Sequence, residues 1–163
     1  MSTTGVRPLA TAEWRLYREI RLAALAQAPE AFSSTLAREE AFSEVVWRQR
    51  LSGRNQFIAE CQNEPCGLVG IIPDGPAAAE LVSMWVHPAY RGRGVGGALV
   101  SAALDWAHER GARSVRLWVA EGNLSAENLY TAKGFVRTGE ALSGTDGSVK
   151  EFAMARTVTE LEF

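Results

Sequence analysis

The stretch that decides the fold covers residues 80–106 and reads ELVSMWVHPAYRGRGVGGALVSAALDW. It begins with an apolar strand from Leu81 to Val86, passes Pro88, and continues through a glycine-rich loop from Arg91 to Gly97 into an amphipathic helix. Closely spaced glycines allow several backbone N–H groups to face one point, where the helix adds the positive end of its dipole. This order therefore predicts an anion-binding loop whose natural guest is a pyrophosphate.

The same glycines also fit the dinucleotide fingerprint. Gly92, Gly94 and Gly97 match G-x-G-x-x-G, with Glu121 further along as a candidate ribose ligand. In a dinucleotide fold, however, the first glycine closes the turn straight after the strand, whereas here several residues including Pro88 intervene. A P-loop is disfavoured because no Lys-Ser or Lys-Thr follows the glycines. The dinucleotide interpretation is the weaker of the two that the loop allows.

Two stretches resemble the signatures of the GNAT N-acetyltransferases. The first is similar to the family's pyrophosphate loop, because Arg91, Gly94 and Gly96 follow the order Arg-x-x-Gly-x-Gly. The second runs from Asn123 to Phe135 as NLSAENLYTAKGF and is similar to N-x-x-A-x-x-L-Y-x-x-x-G-F. Both occur in the family's order along the chain. The resemblance implies transfer of an acetyl group from acetyl-CoA to an amine.

The element order predicted from periodicity and turn signals is β-α-α-β-β-β-α-β-α-β-β. It includes a first strand at Val6 to Ala10, a helix with Thr11 as N-cap, and a loop from Gly139 to Ser148 between the last two strands. The resemblance implies an α/β (α+β) fold: a mixed, mostly antiparallel sheet flanked by helices, with splayed central strands that form the CoA cleft. A length of 163 residues without a linker predicts one domain over residues 1–163, and the resemblance implies that this domain is GNAT-like.

Composition narrows the class of partner. Hydrophobic residues make up 47% and charged residues 22% of the chain, which is ordinary for a globular protein. The net charge of −2, with no basic run outside the loop, argues against nucleic acid as a partner. The absence of a long apolar run or a signal-like start predicts a cytoplasmic protein with no membrane partner. Cys61 and Cys66 are expected to be reduced thiols, and no metal site is expected.

The resemblance assigns candidate residues to the cofactor. Strand amides pair with the pantetheine arm, and loop amides hold the pyrophosphate. Asn123 is either a helix N-cap or a cofactor contact. The cofactor-binding candidates are Met84, Val86, Arg91, Gly92, Arg93, Gly94, Val95, Gly96, Gly97, Asn123 and Asn128.

Two residues are candidates for proton transfer during direct attack of the amine in a ternary complex. The resemblance places Tyr130 beside the sulfur, where it would protonate the departing thiolate. Its alternative role is packing, because Ala126, Leu129 and Tyr130 also have the spacing of a buried helix face. The resemblance makes Glu80, eleven positions before Arg91, the candidate general base, and its alternative is a solvated carboxylate at the start of a strand. His87, before a proline, is interpreted as a turn residue.

The acceptor is the least determined part. In the family the first interhelical loop and the last hairpin usually line the acceptor side, which makes Glu30, Phe32 and Asp146 the substrate-binding candidates. Two carboxylates and one aromatic ring favour a small cationic or zwitterionic amine. A protein N-terminus or lysine is the alternative acceptor, and a non-catalytic acyl-CoA sensor is the alternative function. The family commonly forms homodimers, and the sequence leaves a homodimer open.

Overall fold

A computed structural model describes residues 4–158 of the chain. Its strands form one sheet in the order β1-β2-β3-β4-β5-β7-β6. The strands are β1 (Thr4–Pro8), β2 (Gln56–Cys61), β3 (Glu64–Pro73), β4 (Ala78–Val86), β5 (Ser114–Ala120), β6 (Val136–Ser143) and β7 (Val149–Thr157). The helices are α1 (Trp14–Gln27), α2 (Leu36–Glu40), α3 (Glu44–Leu51), α4 (Val95–Glu109) and α5 (Leu124–Ala132).

The pairing of the strands is mixed. β4 and β5 run parallel, with Ala78 to Glu80 opposite Ser114 to Arg116 at the start of both strands. The pairs β1–β2, β2–β3, β5–β7 and β6–β7 are antiparallel. The predicted fold class, a mostly antiparallel mixed sheet flanked by helices, is therefore confirmed.

Two compact units divide the elements. The first comprises residues 4–70 and 83–103. Its core is built where α1 meets α3, because the buried side of α1 carries Tyr17, Ile20 and Ala24 at helical spacing. The ring of Tyr17 meets Trp47 of α3 edge to face, with the centroids 5.7 Å apart. This contact fixes α1, which supplies several side chains of the candidate site.

The second unit comprises residues 71–82 and 104–158. In β5 the burial alternates, so that Val115, Leu117 and Val119 are buried while Arg116 and Trp118 are partly exposed. The strand β6 forms one edge of the sheet and is exposed along its whole length. The strand β5 therefore presents Arg116 and Trp118 on its partly exposed side.

Two predicted boundaries are wrong at the N-terminal side, and one short helix there was not predicted. β1 ends at Pro8, and Thr11 is not an N-cap, because it begins a short 3₁₀ turn, Thr11–Glu13, ahead of α1. The Glu13 side chain closes that turn by accepting from the Ala10 N–H at 2.9 Å. The helix α2 was not predicted, since it is short and its N-cap is Thr35, whose hydroxyl accepts from the Arg38 N–H at 3.2 Å.

The predicted Gly139 to Ser148 loop is also wrong. β6 continues to Ser143, because a bulge shifts the register between Arg137 and Ala141 and the pairing with β7 then resumes. Gly139 lies inside this irregular segment at a φ of +94°. Only a short turn after Ser143 remains as loop.

Within residues 4–158, no helix combines the length and the apolar character needed to span a bilayer.

Candidate active site

The glycine loop leads from β4 into α4. Gly92 and Gly94 have φ values of +76° and +83°, a region that side-chain-bearing residues rarely adopt. The Gly94 carbonyl accepts the first helical hydrogen bond, from the Ala98 N–H at 3.1 Å. A helix supplies no acceptor to the N–H groups of its first turn, which makes that turn an anion site. Here those groups belong to Val95, Gly96 and Gly97.

The two loop arginines differ in their surroundings. The Arg91 Nε donates to the Val86 carbonyl at 3.0 Å, and its Nη2 donates to the Gln27 Oε1 at 3.2 Å. The same Gln27 oxygen accepts from the Trp85 Nε1 at 2.8 Å. Arg93 is exposed, and its guanidinium carbon lies 5.6 Å from the centre of the Tyr90 ring. Arg91 therefore holds the loop against α1 and β4, and Gln27 is a partner of the loop that sequence reasoning missed.

Gly67 allows a close approach of β3 to the same region. A Cβ at this position would lie 2.9 Å from the Trp85 carbonyl oxygen and 3.0 Å from the Leu99 Cδ1. The neighbouring Cys66 carbonyl accepts from the His87 N–H at 2.8 Å. Any larger residue at position 67 would push β4 and α4 away from β3. His87 is a turn residue as predicted, since its Nδ1 accepts from the Ala89 N–H at 3.0 Å.

A buried ion pair contacts β4. Arg21 is 6% exposed and Glu39 is completely buried. The Arg21 Nε and Nη2 donate to the two Glu39 oxygens at 2.9 and 3.0 Å, and Arg50 adds a third donor at 2.9 Å. The remaining Arg21 nitrogen, Nη1, donates to the Ser83 hydroxyl at 2.7 Å. Sequence reasoning missed this group, although a lone arginine on the apolar face of α1 was an available signal.

Ser83 occupies an unusual backbone conformation. Its φ of +59° lies in the left-handed region, inside a strand. That region costs a residue with a Cβ about 1–2 kcal/mol. A hydrogen bond to a charged group contributes about 1.5–3 kcal/mol, so the bond from Arg21 is large enough to hold Ser83 there.

Hydrogen bonds and nearby positive charges keep the Glu39 carboxylate ionised. Burial by itself raises the pKa of this carboxyl, but the hydrogen bonds and positive charges around it outweigh burial and lower the pKa from 4.5 to about 2. The partners that lower it are Arg21, Ser34 and Arg50. The ion pair is therefore intact at neutral pH.

Glu80 lies within β4, two residues after its start, and is paired in register with Arg116. The Glu80 side chain is partly buried at the third position of the strand. Burial raises the pKa of Glu80, Asp74 raises it further, and Arg116 opposes both. Arg116 also lies 3.9 Å from Asp74 and 3.5 Å from Glu140. A carboxylate with a raised pKa is a better proton acceptor than an exposed one.

Tyr130 lies on α5 and is 5% exposed. Its ring meets Phe135 edge to face at 5.8 Å, so the packing role is real. Burial raises the pKa of the phenol well above its usual range, which keeps the hydroxyl protonated at neutral pH. The helix is capped by Asn123, whose Oδ1 accepts from the Ala126 N–H at 3.1 Å. Asn128 is exposed on the same helix.

The three acceptor candidates have ordinary surroundings. Phe32 is partly buried against the core of the first unit, with its ring centre 4.8 Å from the Arg21 guanidinium carbon. Glu30 is exposed in a short 3₁₀ turn. Asp146, in the second unit, accepts from the N–H and hydroxyl of Ser148 at 3.0 and 2.6 Å. Phe32 and Asp146 thus each have a structural partner that the sequence did not reveal.

The two cysteines are buried, free thiols. Burial and a hydrogen bond with Cys61 raise the pKa of Cys66 to about 12, so this thiol stays protonated. Across the described range, 4–158, no group of three or more His, Cys, Asp or Glu side chains could hold a metal ion.

A mixed sheet whose fourth strand leads through an anion-binding glycine loop into a helix defines a cofactor fold of the acetyltransferase type. The chain belongs to the acetyltransferase (GNAT) family, whose model matches residues 14–135.

Relatives and solved structures agree with this assignment. The chain is 33% identical over 95 residues to an uncharacterized N-acetyltransferase of Methanocaldococcus jannaschii, a match that covers 55% of this chain and 42% of the relative. It is 45% identical over 75 residues to mycothiol acetyltransferase of Thermobispora bispora, covering 46% of this chain and 23% of the relative. The match thus spans less than half the length of either relative. A putative acetyltransferase from Salmonella typhimurium, solved with acetyl-CoA, has the same fold, with a TM-score of 0.75, 19% identity, and 99% and 97% of the two chains covered.

Proposed function

We propose that this chain is an N-acetyltransferase that moves an acetyl group from acetyl-CoA to a primary amine by direct attack in a ternary complex. The observation that carries the proposal is the loop in which Gly92 and Gly94 adopt left-handed conformations directly before the first turn of α4. The loop residues present fit a pyrophosphate, because a helix N-terminus preceded by glycines offers several N–H groups and a positive dipole to one anion. Membership of the GNAT family supports the same activity.

The chain's own residues hold the cofactor in this proposal. The loop amides from Arg91 to Gly97 bind the pyrophosphate, with Arg93 adding charge. The amides of Met84 and Val86 pair with the pantetheine and stabilise the negative charge that develops on the acetyl oxygen. Asn123 and Asn128 are further contacts on α5. Acetyl-CoA supplies the activated thioester.

Two proton transfers complete the proposed reaction. An ammonium group cannot attack a thioester, so Glu80 takes the proton of the amine, directly or through water. Its raised pKa supports this role. Tyr130 returns a proton to the departing thiolate, and its position in the second signature stretch, on α5, supports that assignment.

The acceptor we propose is a small-molecule amine, and Glu30, Phe32 and Asp146 are the residues we propose to bind it. One relative is named a mycothiol acetyltransferase, which supports a small acceptor. Glu30 and Asp146 carry negative charge, and no positively charged residue is among the three, which favours a cationic amine.

Thermal melting with acetyl-CoA and with NADH tests the cofactor. At a ligand concentration a hundredfold above its dissociation constant, binding stabilises the fold by about 2.7 kcal/mol, which a melting curve resolves. Acetyl-CoA is expected to raise Tm, NADH is not, and Gly94→Val is expected to lose the shift, because a β-branched residue is strained at a φ of +83°. Stabilisation by NADH alone would overturn the proposal.

Release of free CoA in the presence of amino acids, polyamines, aminoglycosides and N-terminal peptides tests the reaction. An enzyme produces CoA with at least one acceptor. Binding of acetyl-CoA without any release would leave an acyl-CoA sensor as the function.

A further inference from the structure

We propose that Arg21 is a positioning residue for acetyl transfer: together with Glu39 it holds Ser83 in its left-handed conformation and thereby aims the N–H group of Met84. This inference rests on the proposed function, in which the β4 amides act on the thioester. Nothing in either signature stretch points to Arg21, which lies in a different part of the chain.

The Arg21 guanidinium is fixed from several sides. Two of its nitrogens donate to the two oxygens of Glu39 at 2.9 and 3.0 Å, which sets both the position and the plane of the group. Arg50 donates to the same carboxylate at 2.9 Å, so Glu39 is itself held. Phe32 covers the guanidinium, with its ring centre 4.8 Å away. The one nitrogen that remains, Nη1, is thus presented to β4 as a rigid donor.

Ser83 depends on that donor for its conformation. The hydrogen bond of 2.7 Å ties its hydroxyl to α1. The direction of the Cα–Cβ bond changes with φ, so a Ser83 that relaxed to an extended conformation would carry its hydroxyl away from Arg21 and lose the bond. A serine has no intrinsic preference for positive φ, unlike glycine or asparagine. The bond from Arg21 is therefore what selects the left-handed state.

The consequence lies in the peptide group that follows. Trp85 is buried and its Nε1 donates to Gln27 at 2.8 Å, which anchors β4 beyond Ser83. The peptide between Ser83 and Met84 lies next to the left-handed residue, so its N–H turns as the φ and ψ of Ser83 change. An N–H donor must lie at hydrogen-bond distance from the developing charge to stabilise it, so a small rotation of this peptide lowers the rate.

Four variants test the proposal. Ser83→Ala removes the hydroxyl and leaves the Cβ, so the left-handed state loses its support. Ser83→Gly removes the hydroxyl too but adopts positive φ without strain. Arg21→Lys keeps a positive charge beside Glu39 and cannot donate to both carboxylate oxygens and Ser83 together. Ser52→Ala is the control, since it deletes a serine hydroxyl that donates to the Gln49 carbonyl at 2.7 Å, at the C-cap of α3 rather than in β4.

The kinetic readout separates positioning from folding. In Ser83→Ala and Arg21→Lys, kcat is expected to fall about tenfold to a hundredfold. A misaligned N–H group stabilises the charge on the acetyl oxygen less well, and this loss is part of what removing the donor would cost. The dissociation constant of acetyl-CoA is expected to rise much less than kcat falls, by no more than a few fold, since only the Met84 amide turns while the loop amides and the Val86 amide are untouched. Ser83→Gly is expected to recover most of the lost kcat, and Ser52→Ala to match the parent protein. A wild-type kcat in Ser83→Ala, or a Ser83→Gly as slow as Ser83→Ala, would overturn the proposal.

Backbone NMR chemical shifts of Ser83 and Met84 provide a second readout that needs no turnover. They are expected to report a left-handed residue 83 in the parent protein and in Ser83→Gly, and its loss in Ser83→Ala and Arg21→Lys. Retention of the left-handed shifts in Ser83→Ala would overturn the proposal even in an inactive protein. A parent protein that releases no CoA, with shifts that change as expected, would instead contradict the proposed function and leave the positioning intact.

Discussion

Glu80 of β4 and Arg116 of β5 are register partners in the parallel ladder, so the candidate base has a guanidinium as its cross-strand neighbour. That neighbour lowers the pKa of Glu80 while burial and Asp74 raise it, and the raising effects prevail. Taken together, the surroundings of Glu80 thus raise its pKa above the ordinary carboxyl value.

The acid limb of the pH profile follows from this balance. A base must be deprotonated to act, so kcat/KM is expected to rise with pH through a midpoint above 4.5, the ordinary carboxyl value. Arg116→Gln removes the lowering influence and is expected to move that midpoint to higher pH. Glu80→Gln is expected to lower turnover by about a hundredfold or more and to abolish the limb. An unchanged pH profile in Glu80→Gln would exclude Glu80 as the base.

Tyr130→Phe is expected to lower kcat by about a hundredfold, because the leaving thiolate loses its proton donor. Phenylalanine keeps the ring that packs on Phe135, so Tm and the dissociation constant of acetyl-CoA are expected to stay near the parent values. Steady-state kinetics, calorimetry and melting curves provide the three measurements. Normal turnover in this variant would mean that Tyr130 acts in packing alone.

The buried Glu39 predicts how stability depends on pH. Its folded pKa of about 2 lies below the ordinary value of 4.5, so its contribution is complete above pH 4.5 and is lost as the pH falls towards 2. Glu39→Gln is expected to lose that dependence. It is also expected to be less stable by about 3–5 kcal/mol at neutral pH, because two arginines are left without their carboxylate. Urea unfolding at several pH values measures both effects, and parallel pH dependences in the two proteins would contradict the assignment.

Gly67→Ala is expected to destabilise the fold by about 1–3 kcal/mol, because the new Cβ would lie 2.9 Å from the Trp85 carbonyl oxygen. It is also expected to weaken acetyl-CoA binding, since β4 and the first turn of α4 must shift. Gly5→Ala is the matched control, as its Cβ meets nothing within 4 Å. Titration calorimetry and urea unfolding compare the two variants. Equal stability and equal acetyl-CoA affinity would show that the packing of β3 against β4 and α4 accommodates the extra methyl group without loss.

The acceptor residues give the fifth prediction. Glu30→Gln, Phe32→Ala and Asp146→Asn are expected to raise KM for a cationic amine and to leave acetyl-CoA binding unchanged. Acceptor saturation curves at fixed acetyl-CoA measure this. If all three variants keep the parent KM, the acceptor lies against other residues.

The sequence predicted those parts of the molecule whose signals are local. The glycine loop, the Asn123 cap and the turn at His87 each depend on residues close to one another in the chain, and the structure has all three. Contacts between residues far apart in the chain could not be predicted from such local signals. The bond from Arg21 to Ser83 joins residues 62 positions apart, and no periodicity reports it.

The limits of β6 illustrate the same difficulty. The second half of β6 forms because Ala141 pairs with Phe152 of β7 after a bulge. Locally, however, the glycine at position 139 indicates a loop. A pattern of residues along one strand cannot show that a partner strand restores the pairing. The pairing of β6 with β7 up to Ser143 and Val149 leaves only the short turn that contains Asp146.

The buried state of Cys61 and Cys66 determines how readily the proposed chemistry can be observed. They are the only two cysteines in the chain, and both are inaccessible in the folded protein. A colorimetric thiol reagent added to the native protein therefore has little to react with at the start, so an absorbance increase during turnover reports liberated CoA with a low background. By the same reasoning, a single cysteine introduced on the surface would be the only readily labelled position, and a fluorophore could be attached there without first removing the native residues.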